Sequence, residues 1–251
     1  MLTNNTENVI ISLLFGLIFY VALEITLHNI CKNETTKIER KLPYHAFISI
    51  GYFIKDCYKG SSINKVRHDF IVACNFWNCI ISLVFLIISL VISFSKPDYL
   101  IYLVGFNFWR FYSRNFEIIL AFGFDVINKE PARTGDYFDK IDRLKLAVIS
   151  YFEIYLYSAS FYATLPINFD NAFVGLKAIL MSLSVGTLTN VAYAQEQLFS
   201  TKCDINNFYL LLQLIPFAQV IATLSLVVLS LTIYISRTSE LKTKEHPWTS
   251  L

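Results

Sequence analysis

The sequence predicts an all-α integral membrane protein with five transmembrane helices and one re-entrant segment, and three observations carry that expectation. Hydrophobic residues make up 55% of the 251-residue chain and charged residues only 16%, too few to cover a water-facing surface. Apolar runs long enough to cross a bilayer recur along the chain, separated by polar stretches. The basic residues are also biased to one side. With the N-terminus placed outside, all 21 Lys and Arg except Lys96, Lys177 and Lys202 fall at the cytoplasmic side or at the inner end of the third helix. This orientation leaves the C-terminus cytoplasmic, in a plasma or inner membrane, with the lipid bilayer as a partner.

The first apolar run, residues 9–27, follows a tail without Lys or Arg and lacks a small-residue cleavage pattern. A retained helix is therefore expected rather than a signal peptide, with Glu24 at the interface. Residues 28–69 carry Lys32, Lys37, Arg40, Lys41, Lys55, Lys59, Lys65 and Arg67, as a cytoplasmic loop should. Within it, residues 46–54 are apolar but too short to cross and read as an amphipathic helix on the inner leaflet, its flanking lysines favouring anionic lipid. Residues 70–94 form the second span, without a formal charge, and Lys96 and Pro97 close it.

The third segment, from Tyr99, places Arg110, Arg114, Glu117, Ala121, Asp125 and Asn128 at spacings of 4, 3, 4, 4 and 3 residues. On a helix this is one narrow polar stripe. Two readings are open. Either the helix crosses to about Phe111 and bends along the cytoplasmic interface, its charges meeting headgroups or water, or the stripe packs against neighbouring helices and transmits movement to a pore formed by the later segments. A voltage sensor fits poorly, because two arginines four residues apart do not supply a ladder of gating charges.

A basic connector over 129–145 leads to the fourth span, 144–165, which has Glu153 near its middle. An ionised group there costs about 2.5–3.5 kcal/mol on insertion. Either Arg110 or Arg114 supplies the opposite charge, or Glu153 is protonated and bonded to Tyr155 or Tyr157 of a neighbouring subunit. After a turn-rich loop at 166–170, residues 172–183 are apolar but only long enough to enter the membrane partway. The last span, 209–235, contains Pro216, which removes a ladder bond and kinks the helix. Gln213 and Gln219 serve there as helix–helix contacts or as pore-lining groups.

Between the half-length helix and the last span, residues 184–194 read Ser-Val-Gly-Thr-Leu-Thr-Asn-Val-Ala-Tyr-Ala. This stretch resembles the selectivity filter of tetrameric potassium channels, S-V-x-T-x-T-T-V-G-Y-G, with Ser184, Val185, Thr187, Thr189, Val191 and Tyr193 in register. Asn190 stands where that family has the filter threonine, and Ala192 and Ala194 stand where it has its two glycines. The resemblance covers about residues 144–237 and none of the first three spans. It implies a C-terminal potassium-channel-like pore module at 144–237 with a re-entrant pore helix and filter loop; the apolar runs and basic loops leave an N-terminal membrane domain of three spans at 1–143 and a cytoplasmic tail at 238–251.

The resemblance further implies a homotetramer that passes monovalent cations. Thr187, Thr189, Asn190, Val191, Ala192, Tyr193 and Ala194 would form the filter, with Gln195 and Glu196 at its outer mouth and Pro216 as gating hinge. Glycine in such a filter adopts left-handed angles that aim carbonyls at the axis. Alanine there costs roughly 1–2 kcal/mol per residue, on the order of 8–16 kcal/mol over two positions in four subunits. The expectation is a backbone relaxed away from potassium geometry and a weakly selective cation pathway. The alternative is a nonconducting pore-loop subunit, or an effector that alters membrane integrity when triggered.

Other classes of function find no support. His28, His45, His68 and His246 are scattered, and the five cysteines at 31, 57, 74, 79 and 203 show no CxxC pair. Neither a metal, a cofactor, an enzymatic constellation nor a nucleic-acid module is expected.

Overall fold

The computed structural model describes residues 6–31, 53, 64–95, 100–127, 140–165, 174–199 and 213–228. Among them the regular elements are helices: α1 (Thr6–Cys31), α2 (Asn64–Ser95), α3 (Leu100–Ile127), α4 (Lys140–Thr164), α5 (Val174–Gly186) and α6 (Val191–Phe199), followed by α7 (Ile215–Val228). The surface helix expected at 46–54 (apart from Phe53), residues 129–139 of the connector, the loop at 166–170, Asn128, Lys202 and both ends of the expected last span lie outside the described residues.

Two helices contain stretches long and apolar enough to cross a membrane, Val9–Cys31 in α1 and Asp69–Phe94 in α2. The outer faces of both are apolar: Ile11, Leu14, Phe15 and Ile18 on α1, and Phe76, Leu83, Ile87 and Val91 on α2, are exposed. Polar groups such as Ser12, Ser82, Ser89, Asn107 and Ser113 are buried between helices instead. Apolar outer faces together with many polar groups buried beside the apolar core depart from the usual pattern of a water-soluble protein.

Side-chain contacts fix the helix directions. α1 and α3 run parallel: Gly105 N donates to Ser12 Oγ at 3.1 Å, Trp109 Nε1 donates to Leu13 O at 2.9 Å, and one turn further on Tyr20 bonds Ser113. Glycine permits this closeness. A Cβ on Gly105 would lie 1.9 Å from Ser12 O, and one on Gly16 would lie 2.2 Å from Gly105 C. α2 runs against α3, with Phe85 stacked on Phe106 at a centroid distance of 4.1 Å. α4 also runs against α3, since Asn107 meets Ser160, Arg110 meets Tyr157 and Arg114 meets Glu153.

α3 continues as one helix from Leu100 to Ile127, and Arg110, Arg114 and Glu117 are buried within the bundle. The reading in which it bends so that its charges meet headgroups is corrected accordingly, because paired partners on α1, α2 and α4 offset the desolvation. Glu24, expected at the interface, is likewise buried, since it faces Arg110.

The largest buried cluster lies where the later helices converge. Phe111 of α3, Phe161 and Tyr162 of α4, Met181 and Val185 of α5, Ala194 and Leu198 of α6 and Ile215 of α7 all belong to it. Before α7, Gln213 is helical and Leu214 forms a turn, so the ladder is interrupted there. Pro216 then occupies the first turn of α7, where its missing N–H leaves no bond unmade and its fixed φ suits a helix start.

Candidate functional site

α3 carries a ladder of polar side chains into the bundle. At its outer rung, Asn107 Nδ2 donates to Ser160 O and to Ser89 Oγ, each at 3.3 Å, and Ser160 Oγ lies 2.8 Å from Ser89 Oγ. One turn on, Arg110 donates from Nε to Tyr157 Oη at 2.8 Å, bonds Asn78 Oδ1 and pairs with Glu24. Its guanidinium also sits 5.1 Å from the Tyr157 ring centroid and 5.8 Å from that of Tyr20, within cation–π range. His28 Nδ1 donates to Glu24 O at 2.7 Å and lies 3.4 Å from Glu24 Oε2.

The next rung is centred on Arg114. It grips Glu153 with two hydrogen bonds, Nε to Oε1 at 2.6 Å and Nη2 to Oε2 at 2.8 Å, donates to Asn75 Oδ1 at 2.8 Å, and pairs with Glu117 on its own helix. Of the partners weighed for Glu153, Arg114 holds the carboxylate directly, and a tyrosine of another subunit is not needed. The exposures of Glu24, Arg110, Arg114, Glu117 and Glu153 run from 0 to 5%, so the charges must be compensated inside the protein. The network ties α1, α2, α3 and α4 together. Among the described residues, no group of three or more His, Cys, Asp or Glu could hold a metal ion.

The second feature is the turn between α5 and α6. Leu188 N donates to Val185 O at 3.0 Å and Thr189 N donates to Ser184 O at 3.0 Å, the bond pair of a Schellman helix end. The left-handed position of that motif, usually glycine, is Leu188 with φ of 61°. Asn190 follows as N-cap of α6: its Oδ1 accepts Tyr193 N–H at 3.2 Å.

This geometry corrects the expected filter loop. Val191, Ala192, Tyr193 and Ala194 do not continue as an extended strand but begin α6, so their carbonyls enter a helical ladder. The physical reason lies in the residues themselves. Residues 191–198 contain neither Gly nor Pro, Ala, Gln and Glu favour helix, and Ala194 and Leu198, four apart, share one buried face. Ala194 is therefore core, Asn190 is a cap, and Ala192 and Tyr193 are exposed on the first turn. Gln195 and Glu196 lie on the same helix, half-buried and exposed respectively.

α4 and α7 hold the hairpin in place. Tyr155 Oη donates to Leu183 O and Tyr151 Oη to Gly186 O, both at 3.4 Å, and a Cβ on Gly186 would press to 2.9 Å from the Tyr155 ring. Ser182 Oγ donates to Tyr155 O at 2.8 Å. Gln219 Nε2 donates to Ser182 O at 2.8 Å while its Oε1 accepts from Tyr162 Oη at 3.2 Å, so Gln219 joins helices rather than lining a pore.

Sequence reasoning missed Asn75, Asn78 and Asn107. The signal was present, since Asn107 extends the α3 stripe by one turn and Asn75 and Asn78 sit three apart on an apolar helix. The described residues define a class, a helical protein with an apolar exterior, an interior that holds polar and charged groups beside apolar clusters, and two helices able to cross a membrane. No known protein family, curated protein or solved structure matches the chain.

Proposed function

We propose that the protein is a multi-pass membrane protein of the pore-loop type, in which four copies bring their α5–α6 turns together around a weakly selective pathway for monovalent cations. In this reading α1, α2, α3, α4 and the last span, 209–235, of which α7 is a part, cross the bilayer, and α5 and α6 enter it partway. The observation that carries the reading is the hairpin. α5 and α6, at 13 and 9 residues, rise roughly 20 and 14 Å, well short of the ~30 Å hydrocarbon core. They meet in a turn whose Thr187, Thr189 and Asn190 are exposed. A polar turn at that depth is tolerated where it lines water or protein, not lipid.

The charge network supports the spanning of α3 and α4. Hydropathy alone counts Arg110, Arg114, Glu117 and Glu153 against a membrane location, but each has a partner inside the bundle. The resemblance of residues 184–194 to a potassium filter and the order of helices around it support the pore. The helical start of α6 argues against rings of closely spaced carbonyls and hence against strong potassium preference. The same feature favours a second reading, a nonconducting pore-loop subunit or triggered effector.

Purified full-length protein in nanodiscs and in liposomes separates these. A tetrameric mass with flux of Na+ and K+ but not of choline supports the channel. A tetramer silent in every salt favours the second reading, and a monomer or dimer overturns both.

A further inference from the structure

Every backbone amide of the turn is engaged. The N–H groups of Thr187, Leu188, Thr189 and Asn190 donate to carbonyls of α5, those of Leu183, Val185, Ser184 and again Ser184, at 2.9, 3.0, 3.0 and 3.3 Å. An anion would therefore find no free amide among these four residues. The hydroxyls are ordered in the same sense. Thr187 Oγ1 donates to Leu183 O at 2.8 Å. Thr189 Oγ1 lies 3.0 Å from Thr187 Oγ1 and 3.3 Å from Ser184 O, and its one proton goes to one of these two.

A hydroxyl has one proton and two lone pairs. With both protons turned back toward α5 or into the pair, the exposed side of Thr187 and Thr189 presents lone pairs alone. Such a face accepts and does not donate, which suits a cation. No Asp or Glu occurs between residues 171 and 195, so the ligands are neutral oxygens. Calcium and magnesium sites recruit carboxylates, which leaves monovalent ions as the better match. The positive pole of α6 opposes a cation here, and Asn190 Oδ1 moderates it by accepting from Tyr193 N–H.

We propose that Thr187 Oγ1 and Thr189 Oγ1 form an acceptor-only pair that ligates monovalent cations at the α5–α6 turn and sets cation-over-anion preference through side chains rather than main-chain carbonyls. The proposal rests on the pore-loop reading above and names the groups that do its selecting.

The test uses full-length protein in liposomes, with Na+, K+, Ca2+ and Cl− fluxes measured separately. Thr187→Val with Thr189→Val removes both oxygens at nearly constant shape, and Thr187→Ser with Thr189→Ser keeps them. Expected is Na+ and K+ flux at least about tenfold above Cl− and Ca2+, lost by about tenfold in the valine protein and retained in the serine protein, the scale of one lost ligand interaction. If the valine protein fails to assemble, Thr189→Val alone is read instead, since that hydroxyl makes the longer carbonyl bond. A conducting wild type whose flux and ion preference survive the valine substitutions overturns this inference and leaves the pore reading standing. So does a wild type that passes Cl− as fast as Na+. A wild type silent in every salt removes the pore reading and this inference with it.

Discussion

Arg114 and Glu153 face each other as two parallel hydrogen bonds, at 2.6 and 2.8 Å, with side chains 3% and 0% exposed. The pair joins α3 to α4, and α4 in turn carries Tyr151 and Tyr155 to the carbonyl end of α5. A rearrangement of the charge network would thus be felt at the turn through a single helix.

Removing the cation should cost more than neutralising the anion. Arg114→Leu leaves two carboxylates, Glu153 and Glu117, facing the space it vacates, and a loss of about 3–5 kcal/mol is expected. Glu153→Gln leaves Arg114 its bonds to Glu117 and Asn75, so its loss should be smaller. Thermal unfolding in detergent with matched lipid gives the comparison. Equal losses would mean that the pair contributes as a unit and that the remaining partners count for little.

The crossing of α1 and α3 predicts a second asymmetry. Gly105→Ala places a methyl group 1.9 Å from Ser12 O, a backbone atom that cannot swing aside, so the helices must separate. Overpacking of this kind costs typically about 1–3 kcal/mol. Separation would also loosen Glu24 from Arg110, further along the same interface. Gly175→Ala is the control, because its closest neighbour, at 2.8 Å, is a leucine side-chain end. Cysteine cross-linking between α1 and α3 that is unchanged in Gly105→Ala would count against this account.

How far the chain was readable depended on whether the signal was local. The span at 70–94 needed only an uninterrupted apolar run, and α5 only its length. The α3 stripe was visible as a period, yet its partners were not, because Glu24 is remote in sequence and nothing local on α1 distinguishes an interfacial carboxylate from a buried one. At the hairpin two local signals competed. The filter-like match at six positions favoured a loop, whereas helix-forming residues without glycine from 191 onward favoured a helix, and the backbone follows the second. Thr187 and Thr189 were legible as polar residues of the turn, but not the direction of their hydroxyl protons, which depends on which carbonyls the turn brings within reach.

Leu188 offers a direct measure of strain in the turn. A leucine at φ of 61° costs roughly 1–2 kcal/mol relative to its relaxed state, and glycine does not pay it. Leu188→Gly should therefore stabilise each chain by up to about 1 kcal/mol after the added flexibility of the unfolded state is counted. Leu188→Val should destabilise, because a β-branched residue is the poorest fit to that conformation. Unfolding midpoints that fall for both substitutions would show that the exposed Leu188 side chain makes contacts worth more than the strain.

The last prediction concerns ion preference and uses the three positions at which the chain departs from the potassium filter. In the present fold α6 depends on them: Asn190 caps it, and Ala192 and Ala194 are good helix formers in a helix of only nine residues. Replacing both alanines by glycine lowers helix stability by about 0.8–1.0 kcal/mol at each position and opens left-handed angles to the backbone. Asn190→Thr keeps some capping and restores a small hydroxyl. The triple substitution should therefore unwind the start of α6 and release its carbonyls toward the axis, raising the K+ to Na+ permeability ratio measured from bi-ionic reversal potentials. An unchanged ratio would show that the helical start of α6 does not set selectivity. Strong potassium preference in the unmodified protein would go further, because the alanines would then have to leave α6 and take up filter angles despite their cost, and the helical turn could not be the conducting conformation.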